Sequence, residues 1–381
     1  MKYRQFGKLD WEVSVLGFGA MRLPMIGEQP TDVDEPLAIE MIRHSIDQGV
    51  NYVDTSYAYH GGKSEVIVGQ ALQDGYREKV KLATKQPVWL IEKESDFDKY
   101  LDEQLERLQT DHIEFYLLHT LNRTFWPKVR DQGVLKWAEK AIADGRIGHL
   151  GFSFHDDLEM FKQIIDEYDK WAMCQIQYNF LDIEYQAGKE GLEYANDKGL
   201  AVAIMEPLRG GLITKELPEP VAKLWESAPK QRTPADWALQ WLWNDANIPM
   251  VLSGMTAMQH VTENLASADN AAAGSLTEEE LVIIDKVREQ YTELSPIPCT
   301  DCRYCMPCPH NVDIPYTLLS YNQAFMYDNA ARARLFYQRL PADQQANNCE
   351  ECYECEDACP QHIEIVDWLK KAHDYVGPKP T

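Results

Sequence analysis

Short runs of strand-forming residues alternate with helix-like runs along most of this chain. Helix-period segments such as Ala38–Gln48, Phe97–Leu108 and Val129–Asp144 each lead into a short run rich in β-branched or aromatic residues. About eight strand–helix units follow one another over roughly 260 residues, which is the number that closes a parallel barrel. The alternation therefore predicts an α/β fold, a (β/α)8 TIM barrel that occupies most of the chain.

An open, doubly wound sheet is the main alternative to the barrel. That fold binds dinucleotides through a Gly-x-Gly-x-x-Gly turn between a strand and the following helix. The glycines Gly17 and Gly19 lie in the first strand-like run, but no such turn opens a helix after a strand. The barrel is therefore the favoured interpretation.

Polar side chains stand at the ends of three successive predicted strands. Asp54 follows Asn51-Tyr52-Val53, Lys85 follows a run that ends at Thr84, and His119 follows a run that ends at Leu118. Tyr59 lies on a loop that contains two glycines, five residues beyond the aspartate. Because the carboxyl ends of barrel strands meet at one end of the barrel, we expect these side chains to form an acid–base site there.

Asp54, Tyr59, Lys85 and His119 resemble, in type and order, the Asp, Tyr, Lys, His tetrad of the aldo-keto reductases. The segment Leu16–Pro24 is similar to the opening of that family. The resemblance implies an oxidoreductase that reduces an aldehyde or ketone, or oxidises the alcohol, with Tyr59 as general acid and His119 as hydrogen-bond donor to the carbonyl oxygen. A free phenol has a pKa of about 10, so we expect the lysine cation to lower the pKa of Tyr59, with Asp54 keeping that lysine charged.

The same resemblance implies a site for a nicotinamide cofactor, NADH or NADPH. Ser153 and Gln175 match positions that bind the nicotinamide amide, and Glu206–Leu212 resembles the phosphate-binding loop after the seventh strand. The implied cofactor-binding residues are Gly19, Met21, Ser153, Gln175, Met205, Pro207, Leu208, Arg209, Gly211, Ser253, Met255, Gln259, Glu263 and Asn264.

The positions that read the 2′-phosphate of NADPH depart from the pattern of NADP-selective family members. Gly254, Met255 and His260 stand where those members carry Lys, Ser and Arg. Cationic side chains are what a phosphate group prefers. We therefore expect NADH to be used at least as well as NADPH.

Eight of the nine cysteines lie in two short runs near the C-terminus. The spacing and the absence of a signal peptide favour metal ligation over disulfides. Four-cysteine zinc sites are the alternative to iron–sulfur clusters. The two runs consist of Cys299, Cys302, Cys305 and Cys308 and of Cys349, Cys352, Cys355 and Cys359.

The second run matches the bacterial ferredoxin pattern Cys-x2-Cys-x2-Cys-x3-Cys-Pro, whose fourth cysteine binds the other cluster. By this resemblance Cys308 joins the cluster of the second run and Cys359 joins the cluster of the first, which makes two [4Fe–4S] clusters. The gap from Cys305 to Cys308 is one residue shorter than the pattern, so a single cluster is also open.

A composition change at Ser295-Pro296-Ile297-Pro298 marks a domain boundary. We assign residues 1–294 to the aldo-keto reductase barrel and residues 295–381 to an iron–sulfur domain. Helical runs at Tyr316–Met326, Ala330–Leu340 and Val366–Tyr375 make this second domain a mainly α-helical, ferredoxin-like one. The whole chain thus resembles aldo-keto reductases with a fused 4Fe–4S domain.

Charge and hydrophobicity narrow the range of partners. A formal net charge of −24 disfavours nucleic acid and anionic membranes. Because no apolar stretch suits a membrane span or a signal peptide, we expect a cytoplasmic protein whose substrate is a small carbonyl compound or alcohol.

The clusters would be coupled to the reductase or regulate it. Nicotinamide transfers two electrons as hydride whereas each cluster transfers one. A flavin could join these steps, although the sequence carries no flavin signature. A one-electron carrier such as ferredoxin or flavodoxin is a further possible partner. The alternative functions are an iron–sulfur electron-transfer protein, flavin-linked or not, and a redox sensor on a barrel scaffold.

Overall fold

The chain is seen in a computed structural model that describes residues 1–214, 217–299, 301, 303–359 and 361–378. It divides into two compact units, one comprising Met1–Gly210 and Thr233–Thr277, the other Gly211–Arg232 and Glu278–Thr381. Cys302, a predicted metal ligand, lies outside the described residues.

The first unit contains a closed barrel of parallel strands, as the alternating pattern predicts. An antiparallel hairpin of β1 (Tyr3–Gln5) and β2 (Glu12–Ser14) precedes the barrel. The barrel strands, neighbour to neighbour, are β3 (Leu16–Gly19), β4 (Tyr52–Asp54), β5 (Lys81–Gln86), β6 (Ile113–Leu121), β7 (Ile147–Phe154), β8 (Met173–Gln177), β9 (Ala201–Met205) and β10 (Met250–Ser253), which pairs again with β3.

Helices connect the strands and continue into the second unit. The predicted helix Val129–Asp144 is wrong, because Gly133 with φ 87° ends one helix and starts another. The helices are α1 (Glu35–Asp47), α2 (Lys63–Ala71), α3 (Ser95–Leu108), α4 (Phe125–Asp131), α5 (Val134–Ala143), α6 (Leu158–Asp166), α7 (Gly188–Asp197), α8 (Glu219–Glu226), α9 (Pro234–Trp243), α10 (Met258–Asp269), α11 (Glu278–Glu293), α12 (Ile314–Met326), α13 (Ala330–Tyr337), α14 (Glu354–Asp357) and α15 (Ile365–Val376).

Aromatic residues close the N-terminal end of the barrel. Phe6, which follows β1, is completely buried, and its ring centre lies 5.4 Å from that of Phe115 and 5.9 Å from that of Tyr52. These rings belong to one buried cluster with Met173 and Met250 from the strands. Because this end is filled, side chains at the C-terminal strand ends line the open end of the barrel, where barrel enzymes carry their sites.

The second unit is mainly helical, as predicted for the cysteine-containing region. Helices α12, α13 and α15 pack together, and the Tyr316 and Phe336 rings stack at 4.5 Å between centres. The unit also holds α11, since α8 and α11 pack together, whereas the sequence predicts a boundary after residue 294. Among the described residues, none of the helices has both the length and the apolar character that a bilayer crossing requires.

Candidate active site

The four tetrad residues lie at the C-terminal ends of neighbouring barrel strands. Asp54 is the last residue of β4, and Lys85 and His119 lie near the ends of β5 and β6. Tyr59 begins a short turn of helix after β4, and its backbone N–H donates to the Ser56 carbonyl oxygen over 3.2 Å. The parallel register thus gathers side chains that are up to 65 residues apart in sequence, from Asp54 to His119.

Lys85 is the centre of this group. Its side chain is fully buried, and its Nζ donates to Asp54 Oδ1 over 2.6 Å and to the Thr55 carbonyl oxygen over 2.7 Å. The second carboxylate oxygen of Asp54 accepts from Gln175 Nε2 over 3.1 Å. Lys85 Nζ also lies 4.9 Å from the centre of the Tyr59 ring. The lysine therefore bridges the aspartate and the tyrosine.

Burial and charge act against each other in the lysine–aspartate pair. Burial alone would lower the pKa of Lys85, but Asp54 and Tyr59 together raise it above its ordinary value. Burial raises the pKa of Asp54, against the opposing charge of Lys85 and its hydrogen bonds. Lys85 is therefore held as a cation.

Burial also dominates at Tyr59. It raises the pKa of the phenol above its ordinary value of 10.0, although the charge of Lys85 acts in the lowering direction. The net lowering expected from the sequence does not occur in the structure, because the loss of solvent outweighs the lysine cation. Tyr59 is therefore a protonated phenol at neutral pH.

His119 faces the tyrosine with a neutral ring. The two ring centres are 5.9 Å apart and the ring planes are nearly perpendicular. The Trp89 ring centre lies 5.2 Å from that of His119. Burial, followed by the charges of Lys85 and His155, holds the pKa of His119 well below its ordinary value. The Ser56 hydroxyl is 3.1 Å from His119 Nδ1, so a donating serine leaves the proton on Nε2.

A buried polar network that the sequence did not reveal supports the lysine strand. Glu65 Oε1 accepts from Thr84 Oγ1 and from Gln104 Nε2, both over 2.6 Å, and the same amide nitrogen donates to the Lys85 carbonyl oxygen over 3.0 Å. Tyr116 donates to Gln104 Oε1 over 2.6 Å. Glu65 was the available sequence signal for this network. It stands at the start of a helix, where acidic residues are common, so the sequence did not distinguish it.

An ion pair between two strand-end loops is a second feature that the sequence did not reveal. Arg22, which follows β3, lies 3.5 Å from Glu206, which follows β9. A Cβ atom at Gly254 would come within 3.4 Å of the Arg22 side chain, so the glycine leaves room for the arginine. Arg22 thus provides a positive counter-charge for Glu206, the acid that begins the predicted phosphate loop. The available sequence signal was Arg22 itself, which comes shortly after Gly19, the last residue of β3.

Cysteines of the two runs meet in the second unit. A cavity of about 220 Å³ is lined by thiols from both runs, and Cys359 is buried in an apolar cluster that Cys299 and Cys305 contact. Among the described residues, no three His, Cys, Asp or Glu side chains are already arranged as a metal site. The thiols that line the cavity are Cys305, Cys308, Cys349, Cys352 and Cys355.

Chemistry and burial of these thiols fit a soft metal cluster. Burial raises the pKa of Cys355 to about 11, and the neighbouring Cys349 and Cys352 contribute to the increase. A metal relieves that penalty, because it binds the thiolate form. Soft thiolate ligands favour iron–sulfur clusters or zinc.

Comparison with known proteins identifies the barrel. The model of the aldo/keto reductase family matches residues 15–289. The chain belongs to the aldo/keto reductase family. Its C-terminal region carries a 4Fe–4S dicluster domain, whose model matches residues 298–364, so the fused architecture is confirmed.

Three relatives illustrate the similarity of this aldo/keto reductase to characterised proteins. The NADH-specific methylglyoxal reductase of Escherichia coli K12 is 28% identical over 314 residues, which cover 70% of this chain and 93% of the relative. The holo form of aldo-keto reductase AKR11C1 from Bacillus halodurans is 29% identical with a TM-score of 0.61, covering 75% and 96% of the two chains. An aldo/keto reductase from Klebsiella pneumoniae in complex with NADP and acetate is 25% identical with a TM-score of 0.61, covering 75% and 95%.

The residues that the resemblance assigns to cofactor binding are partly engaged with one another in this aldo/keto reductase. Gln175 donates to Asp54, and Ser153 Oγ accepts from the Thr120 backbone N–H over 2.8 Å. Ser253 Oγ accepts from Asn264 Nδ2 over 3.0 Å. These contacts fix side chains near the ends of β7 and β10 and in the middle of β8, where Gln175 reaches Asp54 of the tetrad.

Other residues of the predicted cofactor set vary in exposure and contacts. Gly19 and Met205 end their strands, Met21 is half-exposed, and Met255 is buried. Gln259 donates to Glu263 over 2.7 Å. Pro207 and Leu208 lie in the loop after β9, and Gly211 belongs to the second unit.

Arg209 of the predicted phosphate loop is oriented by an acid. Its Nε lies 2.8 Å from Asp182 Oδ2, and both side chains are largely buried. Gln177 and Asn179 donate to the same oxygen over 3.2 and 3.0 Å. Asp182 gave no signal in the sequence, because its partner lies on a different loop.

The protonation states at this site predict how carbonyl reduction depends on pH. The pKa of Tyr59 is raised above 10.0 and that of His119 is lowered well below 6.5, so the acid form of the tyrosine and the neutral imidazole both persist between those limits. We predict that kcat/KM for reduction changes less than about threefold from pH 7 to pH 9, whereas alcohol oxidation, which needs the phenolate, increases with pH. A tenfold decrease in the reduction rate between pH 7 and pH 9 would contradict these protonation states.

Proposed function

We propose that the barrel reduces a small aldehyde or ketone with a nicotinamide cofactor and that Tyr59 donates the proton. The observation that carries this proposal is the position of Lys85 Nζ, 2.6 Å from Asp54 Oδ1 and 4.9 Å from the Tyr59 ring centre. The E. coli relative is a methylglyoxal reductase, and the Klebsiella structure holds NADP, which supports nicotinamide chemistry here.

In this mechanism each tetrad residue has a separate task. Tyr59 transfers its phenolic proton to the substrate oxygen, and the Lys85 cation stabilises the phenolate that this transfer leaves. Asp54 holds the lysine in place through Oδ1. His119 donates a hydrogen bond from Nε2 to the carbonyl oxygen and so fixes its direction. A nicotinamide cofactor, when bound, would supply the hydride.

Cofactor binding follows the residues that the family resemblance assigns. Ser153 and Gln175 would hold the nicotinamide amide, Arg209 the pyrophosphate, and Glu263 with Asn264 the adenine. Since Gly254 and Met255 carry no charge, we propose that NADH serves at least as well as NADPH. The E. coli relative is described as NADH-specific, which supports this preference.

The C-terminal domain would hold two [4Fe–4S] clusters by crossed ligation. Cys349, Cys352 and Cys355 with Cys308 from the first run would bind one cluster. All four line the shared cavity, which Cys305 lines as well, so thiols of both runs are within one site. The first three cysteines of the first run, together with Cys359, would bind the other.

A second candidate function is one-electron transfer through this domain. Cys352 is exposed, so a cluster bound there would lie within reach of a one-electron carrier such as ferredoxin or flavodoxin. In this function the clusters would couple the reductase to single-electron chemistry or regulate it in response to redox state.

Replacing the proposed acid tests the reductase function. Tyr59→Phe should lower kcat for methylglyoxal reduction by at least about a hundredfold, because general acid catalysis contributes about that much or more. The Kd for each nucleotide, measured by NADH and NADPH fluorescence, should differ less than about threefold between the unmodified protein and Tyr59→Phe. In both proteins the NADH Kd should be no higher than the NADPH Kd. Tyr194→Phe is the control, because that hydroxyl binds Asp166 on an outer helix. Normal turnover by Tyr59→Phe would contradict the assignment.

Metal analysis tests the crossed ligation. Protein purified without oxygen should contain about eight iron and eight sulfide per chain, as two cubane clusters require. Cys308→Ser should remove about half of the iron and leave the cluster of Cys299 and Cys305. Cys174→Ser, in the buried barrel strand β8, is the control and should keep all the iron.

Three outcomes of that analysis would contradict the assignment. Zinc without sulfide would exclude iron–sulfur clusters, and about four iron per chain in the unmodified protein would exclude the second cluster. Full iron content in Cys308→Ser would exclude that cysteine as a ligand.

A further inference from the structure

Two side chains beside the tetrad have no task in the proposed mechanism. Strand β7 ends at the buried Phe154, and the next residue, His155, is exposed at the open end of the barrel. The backbone N–H of His155 donates to the Leu121 carbonyl oxygen over 3.2 Å. The Gln186 amide nitrogen, from the segment between β8 and α7, lies 3.5 Å from His155 Nδ1. The pair thus joins two neighbouring strand-end loops.

Gln186 is held in an unfavourable state. Its backbone adopts φ 58°, a left-handed conformation that residues with a side chain rarely occupy. In the part of the chain that the structure describes, its buried Oε1 has no hydrogen-bond partner. Backbone strain and unpaired buried acceptors concentrate at binding and catalytic sites.

The hydrogen-bonding capacity left over by the pair matches one chemical group. With Gln186 Nε2 donating to His155 Nδ1, the pair still offers the Gln186 Oε1 acceptor and the His155 Nε2–H donor. In the opposite arrangement, with Oε1 accepting from Nδ1–H, the amide N–H and the free ring nitrogen again leave one donor and one acceptor. A hydroxyl group satisfies both, because it donates one hydrogen bond and accepts another.

The pair is near the reacting centre. Ser153, two residues before His155, accepts from the backbone N–H of Thr120, which adjoins His119. His155 is close enough for its charge to contribute to the low pKa of His119, after burial and Lys85.

We propose that His155 and Gln186 form a subsite for a hydroxyl group of the substrate, so that the enzyme prefers hydroxylated aldehydes or ketones over their deoxy counterparts. The inference rests on the proposed carbonyl reduction and narrows its substrate class.

A matched pair of substrates tests the subsite. The unmodified protein should show kcat/KM at least about tenfold higher for 2-hydroxypropanal than for propanal, because a site built for a hydroxyl discriminates against the analogue that lacks it. Gln186→Met and His155→Phe should each lower this ratio at least about fivefold. The control is Gln109→Met, at an exposed glutamine with φ 53° that follows α3, and it should keep the ratio.

The outcomes separate this inference from the proposed function. Equal kcat/KM for the two aldehydes, or an unchanged ratio in both variants, overturns the hydroxyl subsite and leaves the reductase function intact. A tenfold weaker NADH Kd in Gln186→Met with an unchanged ratio assigns the pair to the cofactor and also overturns the subsite. If the protein reduces neither aldehyde, the proposed function is contradicted. Calorimetric titration with 1,2-propanediol and with 1-propanol then tests the subsite separately, and equal affinities for the two alcohols overturn it.

Discussion

A buried ion pair between Lys85 and Asp54 is the interaction on which the candidate active site depends. Moving two charges out of water is unfavourable, and removing one partner of such a pair costs about 3–5 kcal/mol. The barrel offsets this cost with the Thr55 carbonyl oxygen, which accepts from the lysine, and with Gln175, which donates to the aspartate. The charge of Lys85 and its hydrogen bond to Tyr59 oppose the burial-driven increase in the pKa of that tyrosine. The protonated acid, the neutral His119 and the fixed lysine are consequences of one buried assembly.

The barrel geometry makes that assembly possible. Asp54 is paired in register with Gly19 on one side and Ala83 on the other, so neighbouring strands end at the same level. Phe6 and its aromatic neighbours fill the opposite end, and the network of Glu65 and Gln104 holds β5 from outside. Three members of the tetrad, Asp54, Lys85 and His119, are therefore placed by strands, and Tyr59 follows β4 in a short helical turn. Such placement gives the precision that proton transfer requires.

Local sequence patterns predicted the repeated and ordered parts of this protein. The strand–helix alternation predicted the barrel, and the cysteine spacing predicted an iron–sulfur domain. Both patterns depend on residues that are close together in sequence. Pairs between loops were not predictable: Arg22 with Glu206 and Arg209 with Asp182 join residues on different strand ends, and no local signal links them. The break at Gly133 was missed because the helical periodicity continues on both sides of it. The sign of the Tyr59 pKa shift depends on burial, which only the packed structure reveals.

We propose that Asp54 acts on catalysis through Lys85, and a double-mutant cycle measures this directly. Asp54→Asn, Lys85→Met and the double variant would be compared with the unmodified enzyme by kcat for carbonyl reduction with saturating NADH. Residues that act as one unit show non-additive effects. We predict that the double variant loses no more than about threefold in kcat beyond Lys85→Met alone. Losses that multiply, so that the double variant shows the product of the two single effects, would contradict it.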